Sequence, residues 1–167
     1  VDGGGKHNFS DLLIEHEDGT SEPFEPDRQG VGERVVSEFL WEKGYSGIDY
    51  ILATHADADH IQGLVDVAKN FNVKTAFIGR LDKETSMDKD FAEFERTLRR
   101  REIGIKRLSR DDSFEIGGVR IEVLNPIREN SPTNASANDA SIVLRLIYGS
   151  REFLLTGDIE KQTENDL

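Results

Sequence analysis

The 167-residue sequence predicts an α/β fold, and three observations carry that expectation. A short apolar run from Ile48 to Ala53 is followed by a helical segment from His60 to about Asn70 and a second apolar run from Val73 to Ile78. That order is a strand-helix-strand unit, which favours a parallel strand pair covered by a helix. Phe91, Phe94 and Leu98 then recur at helical spacing in a segment ending near Gly104, so a second amphipathic helix follows. Beyond it the chain breaks into short strand-like segments, Ile105 to Leu108, Ser113 to Ile116, Val119 to Leu124, Ser141 to Tyr148 and Glu152 to Leu155. Turn residues such as Gly117-Gly118 and Gly149-Ser150 separate them, and the last two read as a hairpin.

The remaining elements are weaker. Residues 6–30 carry Gly, Pro, Asp, Glu and Ser with little periodicity, with His7 and His16 among them, and read as a long surface loop. Between Val31 and Lys43, Val35, Val36, Phe39 and Leu40 recur at three- and four-residue spacing, and Gly44 ends the pattern as a glycine C-cap does. The opening Val1-Asp2-Gly3-Gly4-Gly5 reads as a strand end with its turn, and residues 159–167 as the first turns of a helix. The expectation is therefore one domain, residues 1–167, excerpted from a longer protein.

Composition narrows the chemistry. Hydrophobic residues make up 36% of the chain, enough for one core. A net charge of -12 argues against a protein that coats nucleic acid through its overall charge. Any contact with phosphates must be local or carried by bound metal. Cysteine is absent, so disulfides and thiolate metal sites are excluded and metal ligands must be His, Asp or Glu. No apolar run approaches the roughly 20 residues that cross a bilayer.

Four ligand-type side chains fall within six residues, His55, Asp57, Asp59 and His60, directly after the Ile48 to Ala53 strand. In an extended loop His55, Asp57 and Asp59 share one face, while His60 begins the helix and turns the other way, so one loop can serve two metal ions. A polar turn with Asp59 as helix N-cap accounts for that residue alone. It does not account for two histidines flanking two alternating aspartates. Gly157-Asp158, at the end of Phe153-Leu154-Leu155-Thr156, places a further carboxylate at a strand end where it can bridge two cations, although such a pair is also a common turn. Asn138, Asp139 and Ser141, ahead of another strand, are candidate substrate or ligand contacts, with a solvated turn as the alternative.

Seven basic residues, Arg96, Arg99, Arg100, Arg101, Lys106, Arg107 and Arg110, lie within fifteen positions of this acidic chain. Arg99, Arg100 and Arg101 are candidate DNA contacts; a solvated helix face paired with Glu95 and Glu102 is the plainer reading.

The segment His55-Ala56-Asp57-Ala58-Asp59-His60 followed by Gly63 resembles the His-x-His-x-Asp-His loop of metallo-β-lactamase-fold hydrolases, and Val1-Asp2-Gly3-Gly4 resembles their first strand-end motif. The Asp at the second ligand position, Asn138 to Ser141 and Phe153 to Asp158 are similar to the carboxy-terminal hydrolase domain of ComEC-type DNA-uptake proteins. The resemblance spans nearly the whole chain. It implies a metallo-β-lactamase-type αββα sandwich with the metals at one edge and two divalent ions, zinc or manganese. His55 and Asp57 would hold one ion, Asp59 and His60 the other, and Asp158 would bridge them. Gln62 stands where the loop of this family usually has Gly, and no histidine follows His60, whereas ComEC-type domains carry a later His-His-Gly segment.

The implied activity is hydrolysis of a phosphodiester, with single-stranded DNA as substrate, by water activated between the two ions, with Asp59 as the catalytic residue that orients it. Asp57 in place of an imidazole hardens the first site and favours Mn²⁺ or Mg²⁺ over Zn²⁺. The implied setting is a domain attached to a membrane channel and facing the outside of the cytoplasmic membrane. The alternatives are a thiolester or lactam hydrolase on the same fold, or an inactive domain that binds DNA or a partner.

Overall fold

A computed structural model describes residues 1–4, 13–15, 21–23, 32–79, 88–127, 136 and 138–167. His7 and His16 lie outside the described residues. The region read as a plain loop contains a small antiparallel pair, β1 (Leu13–Glu15) and β2 (Ser21–Pro23). These strands are too short to show a two-residue periodicity, so the sequence gives no sign of them.

The first helical region is two-part. Gly32–Ser37 winds as a π-helix and continues as α1 (Glu38–Glu42), with Gly44 at a φ of 78° just beyond it. The glycine takes the left-handed backbone that stops the helix.

β3 (Gly47–Ala53), α2 (Ala58–Asn70), β4 (Asn72–Ile78), α3 (Lys89–Arg100) and β5 (Gly104–Arg107) follow, and β3-β4-β5 form a parallel sheet. The expected strand-helix-strand unit is thus present. The Asp88 side chain caps α3 by accepting from the N–H groups of Asp90 and Phe91, satisfying two donors that a helix start leaves open. Four further strands, β6 (Ser113–Ile116), β7 (Val119–Asn125), β8 (Val143–Tyr148) and β9 (Arg151–Leu155), form an antiparallel sheet in that order. The chain then turns into α4 (Lys161–Asn165).

Alternation along β3 and β4 explains the layering. Ile51, Ala53, Ala76 and Ile78 face the helices, where they pack with Ile61, Leu64, Phe71, Phe94 and Leu98. Leu52 and Phe77 face the other way and meet Leu108, Val123, Ile142 and Leu144 of the antiparallel half. The parallel sheet is therefore covered on both faces, as parallel sheets are. The result is the α/β sandwich, with α2 and α3 on the outer face of the parallel sheet.

One close approach fixes the end of the fold that matters for function. Gly3, Gly32 and Gly63 stack backbone against backbone: a Cβ on Gly3 or Gly32 would collide with the Gly63 backbone, and one on Gly63 would collide with the Gly3 carbonyl. The Gly63 N–H donates to the Gly4 carbonyl at 2.8 Å and the Gly3 N–H to the His60 carbonyl at 2.7 Å. The Asp2 N–H donates to the Leu52 carbonyl at 2.9 Å. The amino-terminal motif is thereby held against the carboxyl end of β3 and the first turns of α2, the end of a parallel sheet where ligand sites form.

Candidate metal centre

The helix expected from His60 begins two residues earlier, at Ala58, and this changes which side chains meet. Asp57, not Asp59, occupies the N-cap position, and its side chain makes no cap hydrogen bond. An N-capping carboxylate is worth about 1 kcal/mol to a helix. Asp57 leaves that use aside, and its Oδ2 lies 3.5 Å from His55 Nε2. Because Asp59 and His60 already belong to the helix, His60 does not turn away from His55: the two imidazole centroids lie 4.1 Å apart.

His55 and His60 from this loop and Asp158 from the turn after β9 offer ligand atoms that all lie within 4.8 Å of one another. His60 Nε2 is 3.3 Å from Asp158 Oδ2 and 3.7 Å from Asp59 Oδ2. The structure thus brings together His55, Asp57, Asp59, His60 and Asp158, with Asp57 against His55 and with Asp59 and Asp158 against His60. His55 is 8% exposed, and among the described residues its Nε2 has no hydrogen-bond partner. A buried ring nitrogen without a hydrogen bond is costly, and its lone pair suits a cation. The surrounding donors are nitrogen and carboxylate oxygen only, a set that fits a divalent ion of intermediate to hard character.

The backs of the rings are occupied. Thr54 Oγ1 lies 3.0 Å from His55 Nδ1, and Ser141 Oγ lies 3.3 Å from the same atom. Asp2 accepts from the Thr54 N–H at 2.8 Å and from its hydroxyl, and its Oδ2 faces His60 Nδ1 at 3.2 Å. Burial alone lowers the His60 pKa, but Asp2, Asp158 and Asp59 together raise it above its ordinary value. Asp2 and Thr54 carry no expected role in the sequence reading beyond the strand-end motif. The signal available was Asp2-Gly3-Gly4 itself, an Asp at a φ of 45° whose side chain is aimed back into the site.

The loop before β8, a candidate substrate or ligand contact in the sequence, lies beside His55 and Asp158. Ser141 is fully buried and its hydroxyl faces His55 Nδ1. Its Oγ accepts from the Asp158 N–H at 3.3 Å. Asp139 accepts from the Glu160 N–H and the Thr163 hydroxyl, and Asn125 Nδ2 donates to the carbonyls of Asp139 and Ser141, each at 2.8 Å. The Asn138 to Ala140 turn is a short 3₁₀ segment that this network ties to Asp158 and to the chain just after it. Gly157, at a φ of 57°, passes so close to Thr54 and Ser141 that a Cβ there would lie 2.9 Å from Ser141 Cβ.

The basic stretch lies elsewhere. Gln62 in the first turns of α2 reaches Asp90 at the start of α3, so the far end of α3 with Arg100 is about 15 Å along the helix from the end beside the site. Arg99 pairs with Glu95 at 2.9 Å, and Arg100 and Arg101 are exposed. Lys106 packs over the Phe114 ring, and Arg110 Nε donates to the Leu124 carbonyl.

A family model described as a beta-lactamase superfamily domain matches residues 31–166. The chain belongs to the beta-lactamase superfamily. Within the superfamily it is similar to ComE operon protein 3 of Bacillus subtilis (strain 168), at 30% identity over 169 residues. That match covers 98% of this chain and 21% of the relative, so the chain spans about a fifth of the relative's length. Among solved structures it is similar to CmlA, a diiron beta-hydroxylase from Streptomyces venezuelae, at 15% identity and a TM-score of 0.43 over 66% of this chain and 20% of that one. A mutant of the CmlA beta-hydroxylase aligns at 14% identity and a TM-score of 0.44 over 92% of this chain and 29% of that one. Among the described residues no helix is long and apolar enough to cross a membrane.

Proposed function

We propose that this superfamily member is a metal-dependent phosphodiesterase that cleaves single-stranded DNA. The observation that carries the reading is His55 Nε2: buried, without a hydrogen bond among the described residues, and on a side chain whose ligand atom lies within 4.8 Å of those on His60 and Asp158. His55 with Asp57 and His60 with Asp59 would hold the divalent ions, with Asp158, close to both rings, as a further ligand. Divalent ions there, Mn²⁺ or Zn²⁺, would supply an acidified water and counter-charge for phosphate oxygens.

The protein side of the reaction falls to the carboxylates. The Asp59 side chain is 75% exposed at the rim of the cluster, placed to accept a hydrogen bond from a water and orient it toward an incoming phosphorus. His55 and Ser141 are buried and stay behind the reacting groups. With a net charge of -12, the protein repels a polyanion at long range, so phosphate approach depends on cations at the cluster.

Support for DNA over a thiolester or lactam comes from the ComEC-type resemblance and from Asp57. By that resemblance the setting is a domain of a membrane channel protein exposed outside the cytoplasmic membrane. The test is a panel of single-stranded DNA, a thiolester and a lactam, each with added Mn²⁺ or Zn²⁺, alongside elemental analysis. DNA cleavage that requires metal supports the reading. Turnover of only the thiolester or lactam replaces the substrate, and absence of metal and turnover alike points to an inactive binding domain.

A further inference from the structure

Thr54 Oγ1 stands between two groups that make opposite demands on it. The Asp2 carboxylate oxygens lie 2.9 and 3.1 Å away on one side, and His55 Nδ1 lies 3.0 Å away on the other. A hydroxyl has one proton to donate, and an ionised carboxylate has none. Two oxygens 2.9 Å apart with no proton between them repel, so the Thr54 proton points to Asp2. The oxygen then offers only lone pairs to His55. That 3.0 Å contact is favourable when Nδ1 carries the ring proton. Ser141 Oγ, at 3.3 Å, already accepts from the Asp158 N–H and can either accept from or donate to the same nitrogen, so the nearer Thr54 oxygen sets the preference. A neutral imidazole has one N–H, so Nε2 keeps its lone pair; among the described residues Nε2 makes no hydrogen bond, and the Asp57 carboxylate, 3.5 Å away, is farther from it than Thr54 Oγ1 is from Nδ1.

We infer that Thr54 is a positioning residue: its hydroxyl relays the acceptor character of Asp2 to His55 and locks the ring as the Nδ1–H tautomer, with Nε2 open to a divalent cation. Thr54 is 2% exposed, so water does not compete for its hydroxyl. The same Asp2 oxygen that takes the Thr54 proton faces His60 Nδ1 at 3.2 Å, so one carboxylate stands behind both rings. The consequence for metal affinity rests on the metal reading proposed above; the tautomer itself does not.

Long-range ¹H–¹⁵N spectra of the histidine-labelled, metal-free protein, taken where the rings are neutral, read the tautomer directly. Wild type and Thr54→Ser are expected to show His55 protonated at Nδ1, and Thr54→Val a loss of that preference. In titrations with Mn²⁺ or Zn²⁺, Thr54→Val should bind roughly 10- to 100-fold more weakly, the usual effect of losing a partner of a ligating histidine, and Thr54→Ser should restore affinity. His55 protonated at Nε2 in the wild type overturns the inference, and that spectrum decides it even if Thr54→Val does not fold. An unchanged tautomer and affinity in a folded Thr54→Val overturns it as well. A wild type with the expected tautomer and no metal uptake upholds the relay and removes the metal reading instead.

Discussion

Asp139 accepts a 2.7 Å hydrogen bond from the Thr163 hydroxyl and a 3.0 Å hydrogen bond from the Glu160 N–H. Two residues along, Ser141 accepts from the Asp158 N–H. One short segment therefore holds the backbone at and just after the carboxylate that completes the cluster. Asp139→Ala is expected to loosen residues 158–163 and to weaken divalent-metal binding roughly 10-fold, as loss of an outer support does. Asp139→Asn keeps an accepting oxygen and should retain most of the affinity. Metal titration of both variants, with amide exchange at Glu160, checks this.

The same contact has a pH sign. The Thr163 hydrogen bond, then those from Glu160 and Ser136, hold the Asp139 carboxyl below its ordinary value of 3.8. The unfolded chain takes up this proton first as pH falls. The contact's stabilisation is therefore fully present above the ordinary value and lost as pH drops through the lowered one. In acid titrations followed by denaturant unfolding, Asp139→Asn should lose less stability than wild type across that window.

Two glycines at left-handed turns separate backbone strain from crowding at the site. Gly149 has a φ of 60° with open space around it, whereas Gly157, at 57°, is pressed against Thr54 and Ser141. Gly149→Ala should cost about 1–2 kcal/mol, the penalty of left-handed backbone, and leave metal affinity unchanged. Gly157→Ala should cost more and should also weaken metal binding, because the displaced turn carries Asp158. Thermal melts paired with metal titrations measure both effects.

Arg99, Arg100 and Arg101 lie at the end of α3 away from the cluster. Replacing all three with Gln should leave metal-dependent cleavage of a short oligonucleotide within about 2-fold of wild type. A longer strand that reaches them should bind more weakly and with a flatter salt dependence, since each lost phosphate contact removes about one unit of salt slope. Equal binding of short and long strands by the variant and the wild type would leave these residues as surface.

The fold was legible where periodicity is strong. The apolar runs of β3 and β4 and the Phe91, Phe94, Leu98 stripe mark their elements to within a few residues, because burial on defined faces forces those patterns. The start of α2 was not, since Ala58 and Asp59 tolerate helix and loop alike. That two-residue difference decides that His60 meets His55 and that Asp57 sits at the N-cap. Asp2 and Thr54 are 52 positions apart, and local sequence carries no trace of such a contact. Ser141 reads as a turn residue in sequence, and only the packing of β8 behind the loop shows that its hydroxyl backs His55.

The central claim is that His55, His60 and Asp158, with Asp57 and Asp59, form a catalytic metal centre. Its most direct test is metal content by elemental analysis of wild type and Asp158→Ala, with Mn²⁺-dependent cleavage of single-stranded DNA measured for wild type, Asp158→Ala and Asp59→Ala. The account predicts two ions per wild-type chain, fewer in Asp158→Ala, and no cleavage by either variant while both remain folded. Full metal content in Asp158→Ala, or undiminished cleavage by a folded Asp59→Ala, would contradict it.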